Sequence, residues 1–196
     1  GASYQPAGNL RIEYQGHENY SAMRRQLSLD NAVSTVTYNV GDVTYKEEAF
    51  TSFTDQLLIV RVTASKRGAV NLRASLYYPD GVKVERGVNG NILTLEGTTA
   101  KAANNVPGKL NFIVNAKVSN EGGNVTANDT SLVVSNADAV TFHVAIGTNF
   151  VNYKDISANP QERVDAYMQN ATRTYEEALA GHMEYYKEQF DRVSLN

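Results

Sequence analysis

Apolar and polar residues alternate with period two through most of the first 150 positions, which is the signature of half-buried strands. Ala32, Ser34, Val36, Tyr38 and Val40 alternate with Val33, Thr35, Thr37 and Asn39. Gly41-Asp42 then supplies a hairpin turn into Val43-Thr44-Tyr45. Gln56 to Ala64 sets Leu58, Val60 and Val62 on one face and Leu57, Ile59 and Arg61 on the other. Val70 to Tyr78 alternates Val70, Leu72, Ala74, Leu76 and Tyr78 with polar residues, and Pro79-Asp80-Gly81 reads as its closing turn. Ile92–Leu95, Leu110–Val118, Leu132–Val134 and Val140–Ile146 have strand composition too, while 98–108 reads as a loop. Roughly nine or ten short strands, with turn signals about every 8–12 residues, predict an antiparallel sandwich rather than a parallel α/β sheet.

The period changes at Asn159-Pro160-Gln161-Glu162. Asn suits an N-cap, Pro the first helical position, and Glu162 stands three residues after the cap. Thr174 with Glu177 repeats the start signal. The pattern predicts helices over about 160–171 and 174–191. In the second, Tyr175, Ala178, Leu179, His182, Met183, Tyr186 and Phe190 form one stripe that needs a surface to pack on, the sandwich ahead of a further domain. The predicted fold is therefore mainly β. A large antiparallel β-sandwich of the supersandwich type occupies 1–155, and two linker α-helices occupy 156–196.

Composition narrows the function classes. The 196 residues contain no cysteine, which removes disulfides and thiolate metal sites. The net charge of −3, without a block of like charges, argues against a nucleic-acid partner. No apolar run approaches the length of a membrane span. No secretory signal opens the sequence; Gly1 reads as a cloning remnant, so a signal removed ahead of it is compatible with the chain. There is no Trp, which weighs against a free-standing sugar-binding module, although Tyr stacks on sugars as well.

Candidate chemistry is sparse. His17 lies in a Gly-His-Glu-Asn loop, His143 in an apolar strand and His182 on the helical stripe, and no two stand at metal-ligand spacing. Each reads as a packed or solvated histidine. Glycoside hydrolysis uses two carboxyl groups flanking the scissile bond. Glu47 and Glu48 are strand neighbours that point to opposite faces, so they cannot form such a pair together. Asp30, Glu85, Glu96, Asp129 and Asp138 sit at strand ends or turns and read as solvated surface acids. The Asn-x-Ser/Thr triplets at Asn19, Asn124, Asn128 and Asn170 reflect an Asn-rich composition. No catalytic residue, metal ligand or cofactor site is assigned from the sequence, and no substrate-binding residue is identified.

Four segments, in matching order, resemble the N-terminal region of glycoside hydrolase family 95, the α-L-fucosidase-like enzymes. Tyr4-Gln5-Pro6-Ala7-Gly8-Asn9-Leu10 is similar to that family's Tyr-Gln-Pro-Leu-Gly-Asp-Leu, departing at Ala7 and Asn9. Tyr20 to Val33, with Arg24 through Ala32, resembles its Tyr-x-Arg-x-Leu-Asp-Leu-x-x-Ala strand, with Ser28 where Asp is common. Tyr45 to Ser52 with Asp55 resembles its Tyr-x-Arg-Glu-x-Phe-x-Ser hairpin. His182 to Leu195, ending Phe190-Asp191-Arg192-Val193-Ser194-Leu195, resembles the family's exit from the linker helix.

The resemblance implies a non-catalytic, domain-packing module at the front of a larger glycoside hydrolase, an inverting exo-α-L-fucosidase releasing fucose from glycans. The catalytic residues would lie in an (α/α)6 barrel after Asn196, which is the partner the resemblance implies. It also implies export to the periplasm or extracellular space of a bacterium. Family members carry strands ahead of the Tyr-Gln-Pro segment; if these are missing here, an exposed strand edge and pairing between copies are expected. Two alternatives stand beside this reading. One is a carbohydrate-binding module with Tyr77, Tyr78 or Tyr153 as stacking platforms. The other is the same architecture in an α-galactosidase or a disaccharide phosphorylase.

Overall fold

The computed structural model describes residues 5–79, 82–100 and 105–194. Its strands are β1 (Asn9–Glu13), β2 (Ser21–Ser28), β3 (Val33–Val40), β4 (Val43–Ser52), β5 (Leu57–Ala64), β6 (Val70–Tyr77), β7 (Val84–Asn89), β8 (Ile92–Thr98), β9 (Asn111–Glu121), β10 (Asn124–Asn128), β11 (Ser131–Ala137) and β12 (Ala139–Thr148), followed by α1 (Pro160–Met168) and α2 (Tyr175–Phe190). One sheet has four strands in the order β1-β6-β11-β10, and the other has eight in the order β2-β3-β4-β5-β12-β9-β8-β7. All pairings are antiparallel. The predicted sandwich with two C-terminal helices is the observed fold.

The sheets face each other across one apolar core. Leu72, Ala74 and Leu76 of β6 and Leu132 and Val134 of β11 meet Leu93, Leu95, Phe112, Val114, Val140 and Phe142 of the larger sheet. A second apolar layer lies on that sheet's other face. There Val33, Phe50, Leu57, Ile59 and Ala145 pack against Val164 of α1 and Ala171, Tyr175 and Ala178 around α2. Strand β12 is covered on both faces, so Ala139 to Ala145 are all buried. That is why the sequence there reads as a nearly continuous apolar run.

Alternation missed four strands when read without the family likeness: β1, β2, β7 and β10. These are the two edges of each sheet. An edge strand has one neighbour and much solvent, so it need not alternate; all but one residue of β2 are exposed. The first helix ends at Met168, short of the expected 171, because the chain turns at 169–173 to start α2. The Pro79-Asp80-Gly81 turn falls partly, and Tyr4 entirely, outside the described residues. Gln5 is tied down by its side-chain amide oxygen, which accepts from the Ala100 N–H at 2.8 Å. Gly8 follows with φ +124°, where a Cβ would stand 3.2 Å from the Tyr77 carbonyl oxygen, so glycine is required.

Candidate functional site

The most elaborated region is the joint between the larger sheet and the helical tail. Both predicted caps form. The Asn159 side chain accepts from the amides of Gln161 and Glu162, and Thr174 and Glu177 make a reciprocal capping box. From that fixed start, α2 lays Tyr175, Ala178 and His182 on β4, with the His182 ring stacked 4.8 Å from Phe50. The His182 Nε2 lies 2.9 Å from the Asn31 carbonyl oxygen, and the Tyr186 hydroxyl donates to the Leu29 carbonyl at 2.5 Å. The stripe thus packs on the sandwich at its start. It runs out towards solvent at its end, where Phe190 stacks on Tyr186 and remains 41% exposed.

The turn between the helices is fastened by charge. Asp55 is 1% exposed and takes the Ser52 hydroxyl at 2.7 Å. Its other oxygen lies 3.0 Å from the Arg173 guanidinium. The Asn170 side chain adds a bond to the Asp55 carbonyl oxygen at 3.0 Å. This network tied residues of opposite ends of the chain. The resemblance had marked Asp55 in a hairpin, but spacing could not reveal its partner 118 positions later.

A second cluster lies on the inner face of the larger sheet. Tyr38 and Tyr45, directly opposed on β3 and β4, stack at 5.4 Å. Over them folds His17, 4.4 Å from the Tyr45 ring and 5.0 Å from Tyr14, with Nδ1 3.0 Å from the Tyr38 hydroxyl. Burial, and then Glu47, push the phenols of Tyr14 and Tyr38 above their ordinary range. The His17 pKa is lowered by burial, opposed by Glu18. The inter-sheet core takes no residue from β2, β3 or β4, so this aromatic nest is what closes that flank.

Among the described residues, the carboxylates singled out from the sequence are spread over the sandwich, one pair excepted. Glu47 faces the aromatic nest and Glu48 the helix side, where it pairs with Lys46 at 2.7 Å. Asp138 accepts from the Gly68 amide at 2.6 Å and serves a turn. Glu85 and Glu96 stand opposite each other on β7 and β8, a juxtaposition that reading along the sequence did not anticipate, but both are solvent-exposed. Asp30 and Asp129 are exposed in turns. Among the described residues no group of three or more His, Asp or Glu could hold a metal ion, and no helix is long and apolar enough to cross a membrane. Of the three proposed platforms, the Tyr78 ring is stacked on Phe112 at 5.4 Å, whereas Tyr153, with Lys154 over its ring, is 84% exposed and Tyr77 is 40% exposed on β6.

The profile described as "Glycosyl hydrolase family 65, N-terminal domain" matches residues 1–153. The chain belongs to this glycosyl hydrolase N-terminal domain family. Alpha-L-fucosidase 2 of Arabidopsis thaliana is 28% identical over 218 aligned residues, covering 98% of this chain and 26% of the fucosidase. A solved structure described as a putative kojibiose phosphorylase from human microbiome superposes with a TM-score of 0.58 at 10% identity, over 93% of this chain and 28% of that one. That likeness is one of fold. The chain spans about a quarter of the length of each of these relatives. For a glycosyl hydrolase N-terminal domain, the fastened joint between the sandwich and its two helices is the feature that needs a functional account.

Proposed function

We propose that this chain is the non-catalytic N-terminal module of a larger glycoside hydrolase of the family 95 type, an inverting exo-α-L-fucosidase acting on glycans. Its role is to hold the linker helices at a fixed angle and so orient a catalytic barrel that follows. The observation that carries this reading is the fastening of α2. A helix meant only as a flexible tether has no use for a capping box, a buried stack on Phe50 and bonds from His182 and Tyr186 to the carbonyls of Asn31 and Leu29. Its far end keeps Phe190 and Val193 exposed, at 41% and 72%, where a following domain would cover them.

The fucosidase assignment rests on the similarity to alpha-L-fucosidase 2 together with the four family 95 segments. Export from a bacterial cell and a glycan substrate belong to the same reading. So does the expectation that strands ahead of Tyr4 complete the sandwich, for which the open side of β1 offers an edge. The test compares this 196-residue chain with a native chain extended past Asn196, on aryl α-L-fucoside and aryl α-galactoside. A silent short chain and an extended chain that cleaves the fucoside support the proposal. Turnover by the short chain overturns it, and cleavage of the galactoside alone replaces the sugar.

A further inference from the structure

A cavity of about 470 Å³ opens on the outer face of the larger sheet, beside the turn that leads into α2. Its floor is built from two cross-strand rows. Arg61, Thr141 and Ser119 form one, and His143 and Lys117 the other, which continues into the buried Ile59. His143 is only 3% exposed, yet neither ring nitrogen has a hydrogen-bond partner within the protein. Buried polar groups in folded proteins are nearly always satisfied, and leaving one empty costs free energy. An imidazole with two unpartnered nitrogens on a cavity wall therefore calls for something from outside.

The surroundings select its chemistry. Arg61 and Lys117 come from the floor, and Arg173 from the turn. The Lys117 ammonium spends one donor on the Ala171 carbonyl at 3.0 Å and has others to give. The wall is the first turn of a 16-residue helix, whose capping box uses the amides of Thr174 and Glu177 and leaves those of Tyr175 and Glu176. Helix N-termini carry partial positive charge and present amides to anions. Two carboxylates line the same cavity: Glu121 pairs with Arg61 at 2.7 Å, and Glu176 is exposed at the mouth. Arg173 is engaged by the buried Asp55, so Lys117 is the lining cation left without an ion pair among the described residues.

We propose that this cavity binds a small oxyanion of the phosphate or carboxylate class, held by Lys117, His143 and the first turn of α2. The inference is independent of the fucosidase reading. Water alone would fill the two nitrogens but would leave the Lys117 ammonium, bonded only to the Ala171 carbonyl, without a counter-charge. Burial first, and then Lys117, disfavour the charged form of His143 in the empty cavity. An anion reverses that balance, so binding raises the His143 pKa and tightens as pH falls. The groups that bear on this titration are Arg61 from β5, Lys117 and Glu121 from β9, Asp55 from the β4–β5 turn, and Arg173 and Glu176 from the helical segment.

The test is a nuclear magnetic resonance titration of the His143 ring in the 196-residue chain, with inorganic phosphate, glucuronate and uncharged fucose as separate ligands. Expected is a saturable shift with an anion, a raised His143 pKa in its presence, no response to fucose, and binding weakened about tenfold or more in Lys117→Gln. Saturation by phosphate alone identifies a free ion as the source, and tighter binding of glucuronate identifies an acidic sugar. A ring that stays unmoved at about 50 mM of either anion, far above a millimolar dissociation constant, overturns the proposal. So does a response to fucose equal to that of the anions, or binding that Lys117→Gln leaves at its original strength with the amide spectrum still native.

Discussion

The Tyr186 hydroxyl donates to the Leu29 carbonyl at 2.5 Å, joining the fourth turn of the last helix to the residue that follows strand β2, 157 positions earlier. The bond sets the direction in which the helical tail leaves the sandwich. Tyr186→Phe keeps the ring and removes the donor, so it should cost the 196-residue chain about 1 kcal/mol in urea unfolding. Phe190→Ala should cost this chain less, because the ring is already 41% exposed. In a chain extended past Asn196, the double substitution to Ala should lower the melting temperature by clearly more than in the short chain. Equal losses in both would count against docking of a following domain on this end of α2.

Asp55 and Arg173 form the other tie between sheet and helices. The carboxylate is almost fully buried while the guanidinium is half exposed, so the two substitutions should not be equivalent. Arg173→Ala leaves a buried carboxylate with the Ser52 hydroxyl as its remaining side-chain donor and should cost roughly 1–3 kcal/mol, below the loss at a fully buried pair. Asp55→Asn keeps the shape and the Ser52 contact and should cost less. Denaturant midpoints of the two variants, measured side by side, check the order.

Gly147 marks where α1 crosses β12. A Cβ there would stand 2.5 Å from the Pro160 carbonyl oxygen and 2.8 Å from Val164 Cγ2. Backbone on one side and a buried valine on the other leave no room to yield. Gly147→Ala should therefore destabilise by about 1–3 kcal/mol through overpacking, whereas Gly41→Ala, which meets no atom within 4 Å, should show only the cost of its positive φ. Thermal unfolding of the pair separates the two effects.

The pH dependence of stability should carry a histidine signature. His143 has a folded pKa lowered by burial and by Lys117, against an ordinary value of 6.5. The unfolded chain therefore binds this proton first, and stability is full above about 6.5 and falls as pH drops below it, levelling once the folded pKa is passed. His17 is lowered too, by burial, and acts in the same direction. Urea midpoints at about pH 7.5 and 5.5 should converge in His143→Gln relative to the native chain, with His17→Gln measured separately to apportion the effect. An unchanged difference in both variants would contradict the assignment.

Period-two alternation in β3, β5, β6 and β9 was legible because these are central strands whose two faces meet different surroundings, whereas β12, buried on both faces, showed as an apolar run. Glu85 opposite Glu96 and Asp55 opposite Arg173 were not, since cross-strand register and long-range pairing have no linear signature. The histidines show the same divide. His182 stood on a readable stripe, and its packing followed. His143 looked like one more core position, and only the third layer of the fold revealed that its ring faces a polar cavity.

The sequence by itself determined the class of the fold, both helix starts and the likeness to a glycosidase N-terminal region, because these depend on local propensity, capping chemistry and short ordered motifs. The tertiary structure decided which strands are edges, which face of the larger sheet the helices cover and which charges meet. Those outcomes depend on how two sheets and two helices share a limited apolar surface, and residues brought together that way stand as far as 76 to 157 positions apart.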